Sequence, residues 1–177
     1  VQQNSNLMTY VQKIIGLGLP SPIMSVFISM LGFFILLLVL DCKIWISFIG
    51  ALAYGFTSYL FIVMGAGHNS KAVAMAYMAP VIAGIIMTYK GKYLWGAVLT
   101  AISLALEIVA GHIQITYYLF IVVLILVIVE FIYSIKDKRF PEFVKASSIL
   151  VIAATLAILT NTINLYANYE FGKETMR

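Results

Sequence analysis

The chain has 177 residues, of which 63% are hydrophobic and 10% are charged, and its mean hydropathy is +1.03. Soluble domains are about half apolar and a quarter charged, so this composition excludes an ordinary water-soluble fold and predicts an integral membrane protein. The net charge of +4 is small and spread over loops, which argues against nucleic acid as a partner. A single cysteine, Cys42, excludes an internal disulfide and a cysteine metal cluster.

The first predicted element is a short amphipathic helix that precedes the apolar segments. Its apolar residues recur at helical spacing: Leu7, Met8, Val11, Ile14 and Ile15. This pattern is typical of a helix lying in the membrane interface, and the frayed end of another element is the alternative. The chain begins at Val1 and ends at Arg177 with no recognisable signal or tail, so we expect it to be an inner piece of a longer protein.

Six apolar segments follow, each near the roughly 20 helical residues that cross about 30 Å of hydrocarbon. They lie near residues 22–40, 44–66, 72–89, 93–110, 113–135 and 144–166. The third is the weakest prediction, because it is short and carries Pro80, which removes a backbone hydrogen bond and kinks a helix. No long linker interrupts the series. The sequence therefore predicts one all-α domain over residues 1–177, a polytopic transmembrane bundle of about six spans.

The lysines and arginines predict the orientation of the bundle. Seven fall on the side of loops 41–43, 90–92 and 136–143: Lys43, Lys90, Lys92, Lys136, Lys138, Arg139 and Lys145. Four fall on the other side: Lys13, Lys71, Lys173 and Arg177. Cytoplasmic loops carry the excess of basic residues, so we expect both ends of this chain to be extracytoplasmic.

The two histidines of the chain occupy the same tripeptide, Ala-Gly-His, at residues 66–68 and 110–112. Two spans separate these tripeptides, which places both on the outer side. Other polar residues gather on that side: Asn69, Ser70, Lys71, Glu107, Gln114, Asn161, Asn164 and Asn168. We expect His68, Lys71, Glu107 and His112 to lie close together there.

Glu107 is the most informative of these residues, because it interrupts the apolar helix LALEIVA. A carboxylate within a membrane span is costly and is by default a functional-site hypothesis. The alternative is a glutamate near enough to the helix end to reach lipid headgroups. Glu130 is the contrast: it lies near the cytoplasmic end and reaches toward the cations Lys136 and Lys138, so it is assigned no function.

Three kinds of chemistry are open to the outer polar residues. His68, His112 and Glu107 form a weak metal-ligand pattern, and no metal or cofactor is predicted from it. In the second interpretation, each Ala-Gly-His is only a helix end, with glycine permitting the turn. In the third, Lys71 and His68 hold a lipid phosphate at a helix N-terminus. We predict a substrate-binding site that includes His68, Asn69, Lys71, Glu107, His112 and Gln114.

Three stretches carry a resemblance to a known family: GAGHNSKAVAMAYMAPVIAG, EIVAGHIQITYYLF and LYANYEFGKETMR, at residues 65–84, 107–120 and 165–177. They resemble the YfhO-like bacterial membrane proteins of Bacteroidetes type, within the GT-C glycosyltransferase superfamily. The resemblance implies sugar transfer from a polyprenyl-phosphate donor to a cell-envelope glycan or polymer, outside the bacterial inner membrane. It also implies that the usual catalytic acid lies upstream of Val1, so the catalytic residue is unknown and this chain alone is expected to transfer no sugar.

Two other functions fit the same residues. In a transporter or lipid flippase, Glu107 and the histidines form a proton relay and Pro80 is a hinge. In a non-catalytic subunit, small residues allow close packing against a larger membrane partner.

Overall fold

The computed structural model describes residues 7–163 and 165–166, and within them every regular element is an α-helix. The helices are α1 (Leu7–Ile15), α2 (Ser21–Val39), α3 (Ile44–Gly55), α4 (Ser58–Gly65), α5 (Asn69–Tyr89), α6 (Tyr93–Val109), α7 (Ile113–Lys136) and α8 (Phe140–Leu159). The predicted all-α helix bundle is confirmed.

Five helical segments are long and apolar enough to cross a membrane: Ser21–Val39, Ile44–Gly65, Asn69–Tyr89, Ile113–Lys136 and Phe140–Leu159. The remaining apolar helix, α6, has 17 residues, which corresponds to about 25 Å of length. The protein is therefore a multi-pass α-helical membrane protein, and α6 is a shorter sixth apolar segment at the predicted position.

Two predicted segments differ from the helices observed. The second, 44–66, is divided between α3 and α4 by Phe56 and Thr57. The sixth predicted segment, 144–166, corresponds to α8, which both begins and ends earlier in the chain. Pro141 lies in the first turn of α8, and a turn follows the helix at Thr160. Proline is tolerated in the first turn, where its missing N–H has no partner to lose.

The third predicted segment, which appeared weakest in the sequence, is the central helix α5. Two thirds (67%) of its most apolar window is buried, against 11% for α7. Its five alanines and Gly84 explain this, since small side chains let neighbouring helices approach closely. Pro80 packs against Gly32 of α2, where an added Cβ would lie 2.5 Å from the Pro80 Cδ.

α5 and α6 cross through a matched pair of glycines and threonines. Thr88 donates a hydrogen bond to the Gly84 carbonyl at 2.9 Å, and Thr100 donates one to the Gly96 carbonyl at 2.8 Å. An added Cβ on Gly84 would lie 2.7 Å from the Thr100 backbone nitrogen. The two backbones are therefore in direct contact at this crossing.

Short turns place alternate loops at opposite ends of the bundle. We call the end with loops 40–43, 90–92 and 137–139 the lysine-rich end. There Lys90 donates a hydrogen bond to the Val39 carbonyl at 2.5 Å and forms an ion pair with Asp41. Lys90 also donates a hydrogen bond to the Asp41 carboxylate, and this bond and the charge of Lys90 lower the pKa of Asp41. We call the opposite end, with loops 66–68 and 110–112, the AGH end.

The predicted amphipathic helix is present as α1 and packs on the bundle near the AGH end. Its apolar residues Met8, Val11 and Ile15 contact a buried cluster. That cluster consists of Met24, Ile28, Val73, Ala76, Tyr77 and Leu106. α1 thus covers the places where α2, α5 and α6 reach this end.

Candidate functional site

The two Ala-Gly-His tripeptides have the same local structure. Gly67 and Gly111 adopt left-handed backbone conformations, with φ of 80° and 71°, and each ends a helix. His68 and His112 then stand at the N-cap positions of α5 and α7. At the first reversal, the His68 N–H donates to the Val63 carbonyl at 3.0 Å, as in a Schellman motif. The interpretation of each tripeptide as a helix end is confirmed.

The first reversal presents polar groups at the protein surface. His68 and Asn69 are exposed, and Lys71 is half-buried. The Lys71 Nζ lies 5.4 Å from the ring centroid of Tyr59 on α4, a cation–π distance. Lys71 belongs to the first turn of α5, so this contact joins the start of α5 to α4.

Glu107 lies inside the bundle, with none of its surface exposed. It shares one face of α6 with Gly96, Thr100 and Ser103, at helical spacing, and the first two of these face α5. The Thr116 hydroxyl donates its one proton to this carboxyl group and lies 3.0 and 3.1 Å from the two carboxyl oxygens. Within the described part of the chain, no basic nitrogen forms an ion pair with this carboxyl group. The alternative in which Glu107 reaches lipid headgroups is therefore wrong.

His112 and Gln114 belong to the second reversal. The Thr116 hydroxyl, which binds Glu107, also lies 3.5 Å from the His112 carbonyl oxygen. The His112 Nδ1 is buried and has no hydrogen-bond partner among the described residues. Gln114 is exposed and donates a hydrogen bond to the Tyr118 hydroxyl at 2.8 Å. Thr116 thus connects Glu107 to the turn that carries His112.

The predicted site residues form two groups at the AGH end. His68, Asn69 and Lys71 lie at the first reversal, whereas Glu107, His112 and Gln114 belong to the second. No hydrogen bond or ion pair between described residues joins the groups. Among the residues that the structure describes, no three histidine, cysteine, aspartate or glutamate side chains are arranged to hold a metal ion, so His68, His112 and Glu107 do not form a metal site there.

Two contributions to this end of the bundle were not predicted from the sequence. Thr116 was not predicted as the partner of Glu107. Its position in the first turn of α7, the helix that follows the one carrying Glu107, indicates such a partner. Asn161 was grouped with Asn164 and Asn168, which lie outside the described residues. The fully buried Asn161 amide donates to the Ala105 and Ala157 carbonyls at 3.1 and 2.9 Å and so joins α8 to α6.

Comparison with known proteins adds no relative: no family model, no curated protein and no solved structure matches this chain. The fold and composition define its class, a multi-pass α-helical membrane protein.

Proposed function

We propose that this chain is the membrane-embedded part of a bacterial glycosyltransferase that takes a sugar from a polyprenyl-phosphate donor. The observation that carries the proposal is the position of two polar helix reversals, with Lys71 and Glu107, at one end of an otherwise apolar bundle. A lipid-linked sugar has its phosphate and its hydroxyl groups at that depth. The YfhO-like resemblance supports the same reaction and a cell-envelope glycan or polymer as acceptor.

The proposal places the AGH end outside the bacterial inner membrane. The seven lysines and arginines on the lysine-rich side support this orientation, because basic loops remain cytoplasmic. Both ends of the chain are then extracytoplasmic. The donor approaches His68 and Lys71 from the outer leaflet.

Each residue of the site has a proposed role in this reaction. Lys71 and His68 bind the phosphate, because cationic donors stabilise the charge that develops on a departing phosphate. Asn69 and Gln114 are exposed hydrogen-bonding side chains that contact the sugar. Glu107 is fully buried, so it acts on the second reversal through Thr116, and His112 on that reversal contacts the sugar.

The position of Glu107 supports a transporter less well than it supports a glycosyltransferase. Transport sites lie near the middle of the bilayer, where both sides have alternating access. Glu107 is two residues from the end of α6, which ends at Val109. Its position favours a surface reaction over passage across the membrane.

Replacing Lys71 with alanine tests the phosphate role. We expect Lys71→Ala to weaken binding of a polyprenyl-phosphate sugar about tenfold to a hundredfold, since one charge-assisted hydrogen bond contributes about 1.5–3 kcal/mol. Binding is measured with the purified chain in lipid nanodiscs, using a fluorescent donor. A donor lacking the phosphate should bind both proteins equally weakly.

Lys145 is a matched control at the lysine-rich end. Its Nζ lies 4.5 Å from the Tyr93 ring centroid, so it makes the same type of contact as Lys71 makes with Tyr59. Lys145→Ala should leave donor affinity unchanged. Equal losses in the two variants would contradict the proposed site, because they would reflect general destabilisation.

A further inference from the structure

A groove opens on the side of the bundle between α2 and α6. Both helices pack on α5 but hardly on each other, so α5 forms the floor of the groove. Tyr77 and Pro80 line that floor, Ile28 and Gly32 line the α2 wall, and Ile102 and Leu106 line the α6 wall. The cavity has a volume of about 270 Å³. α1 borders it toward the AGH end through Ile15.

The length of the groove corresponds to one acyl chain. It runs along α6 from Leu106 to Trp95, a distance of about 16 Å at the helical rise of 1.5 Å per residue. This is about half of the roughly 30 Å hydrocarbon core, and one acyl chain spans half of that core. The rim residues Leu31, Val98 and Ile102 are each about two-fifths exposed, so the groove is open toward the bilayer.

Two hydroxyl groups interrupt the apolar lining. Tyr77 and Ser103 are 2% and 5% exposed, and the buried Tyr77 hydroxyl has no hydrogen-bond partner among the described residues. The buried hydroxyls elsewhere in the bundle behave differently. Ser29, Thr88 and Thr100 each donate to the carbonyl four residues earlier. A buried donor without a partner is costly, so Tyr77 favours a ligand that brings an acceptor oxygen.

We propose that this groove binds the acyl chain of a membrane glycerolipid, whose ester carbonyl accepts a hydrogen bond from Tyr77. Side chains in helices lean toward the helix N-terminus, which directs the Tyr77 hydroxyl toward the AGH end, where a lipid head lies. None of the described residues that line the groove is charged, so the phosphate stays outside it and the ester is the polar group that enters. A polyprenyl chain is much longer than the groove. This lipid site is distinct from the proposed donor site and does not depend on it.

The test measures phosphatidylglycerol bound to the purified full chain by native mass spectrometry in detergent. The unmodified protein should retain one phosphatidylglycerol per chain, and excess polyprenyl phosphate should not displace it. Tyr77→Phe keeps the ring packing and removes the hydroxyl, so we expect the Kd to rise about three- to tenfold. Ile102→Trp fills the groove from its rim and should abolish retention.

Leu124 provides the control for the rim substitution. It is 48% exposed on α7, similar to Ile102 at 40%, and it does not line the groove. Leu124→Trp should therefore retain phosphatidylglycerol as the unmodified protein does. The proposal is overturned if no phosphatidylglycerol is retained, if polyprenyl phosphate displaces it, if Tyr77→Phe leaves the Kd unchanged, or if the two tryptophan variants lose lipid equally.

Discussion

Gly96→Ala is expected to lower the free energy of unfolding by about 1–3 kcal/mol, the usual cost of overpacking a tight interface. The added Cβ would lie 2.6 Å from the Thr88 backbone nitrogen and 2.7 Å from the Gly84 carbonyl oxygen. Because both neighbours are backbone atoms, a side-chain rotation cannot relieve the clash, and α5 and α6 must separate. Unfolding is measured by steric trapping in bicelles, which reports stability inside a lipid environment.

Gly65→Ala is the control for this substitution. Gly65 is the last residue of α4, and an added Cβ there meets no atom within 4 Å. The change should leave the free energy of unfolding within about 0.5 kcal/mol of the unmodified value. A Gly96→Ala protein as stable as Gly65→Ala would mean that the α5–α6 crossing is looser than described.

Thr116→Val should destabilise the protein by about 1–3 kcal/mol, because it removes the hydrogen-bond donor of a fully buried carboxyl group. Valine has nearly the same shape as threonine, so the effect reports the lost hydrogen bond to the Glu107 carboxyl group, whose oxygens lie 3.0 and 3.1 Å from the hydroxyl. The same unfolding measurement applies to Thr116→Val, Glu107→Leu and the double variant. We expect the double variant to be more stable than the sum of the single losses predicts, since both partners of one interaction are then gone.

Thr155 is the matched threonine outside the site. It is exposed on α8, and its hydroxyl donates only to the Val151 carbonyl one turn earlier, at 2.8 Å. Thr155→Val should change stability little. Additive losses for Thr116→Val and Glu107→Leu would contradict a direct interaction between the two side chains.

Sequence reasoning located the helices well because lipid makes length and hydropathy sufficient guides to a span. It misjudged α5, which was expected to be the weakest span because the segment looked short and carries Pro80, whereas α5 has 21 residues and is built largely from small ones. Alanine, glycine and proline reduce the apparent strength of a span and at the same time create the closest helix contacts, as at Gly84 and Pro80. Burial within a bundle therefore could not be read from hydropathy.

The candidate site was predicted in part. The repeated tripeptide correctly predicted two glycine turns at one end of the bundle. A left-handed glycine that ends a helix depends on the neighbouring sequence alone, so it can be predicted from that sequence. The contact between Glu107 and Thr116 depends on tertiary structure, since the chain reversal at Gly111 brings the two side chains together. Likewise, the Lys71 contact with Tyr59 depends on how α4 packs beside α5.

The most direct test of the proposed donor site is protection of a cysteine at Asn69 by the donor. Asn69→Cys is made with Cys42→Ser in sealed vesicles, and its reaction with a membrane-impermeant thiol reagent is followed from outside. We predict that it reacts, that a polyprenyl-phosphate sugar slows the reaction, and that Lys92→Cys, at the lysine-rich end, reacts only after permeabilisation. Reaction of Asn69→Cys only after permeabilisation, or a rate unaffected by the donor, would contradict an outward-facing site for a lipid-linked sugar.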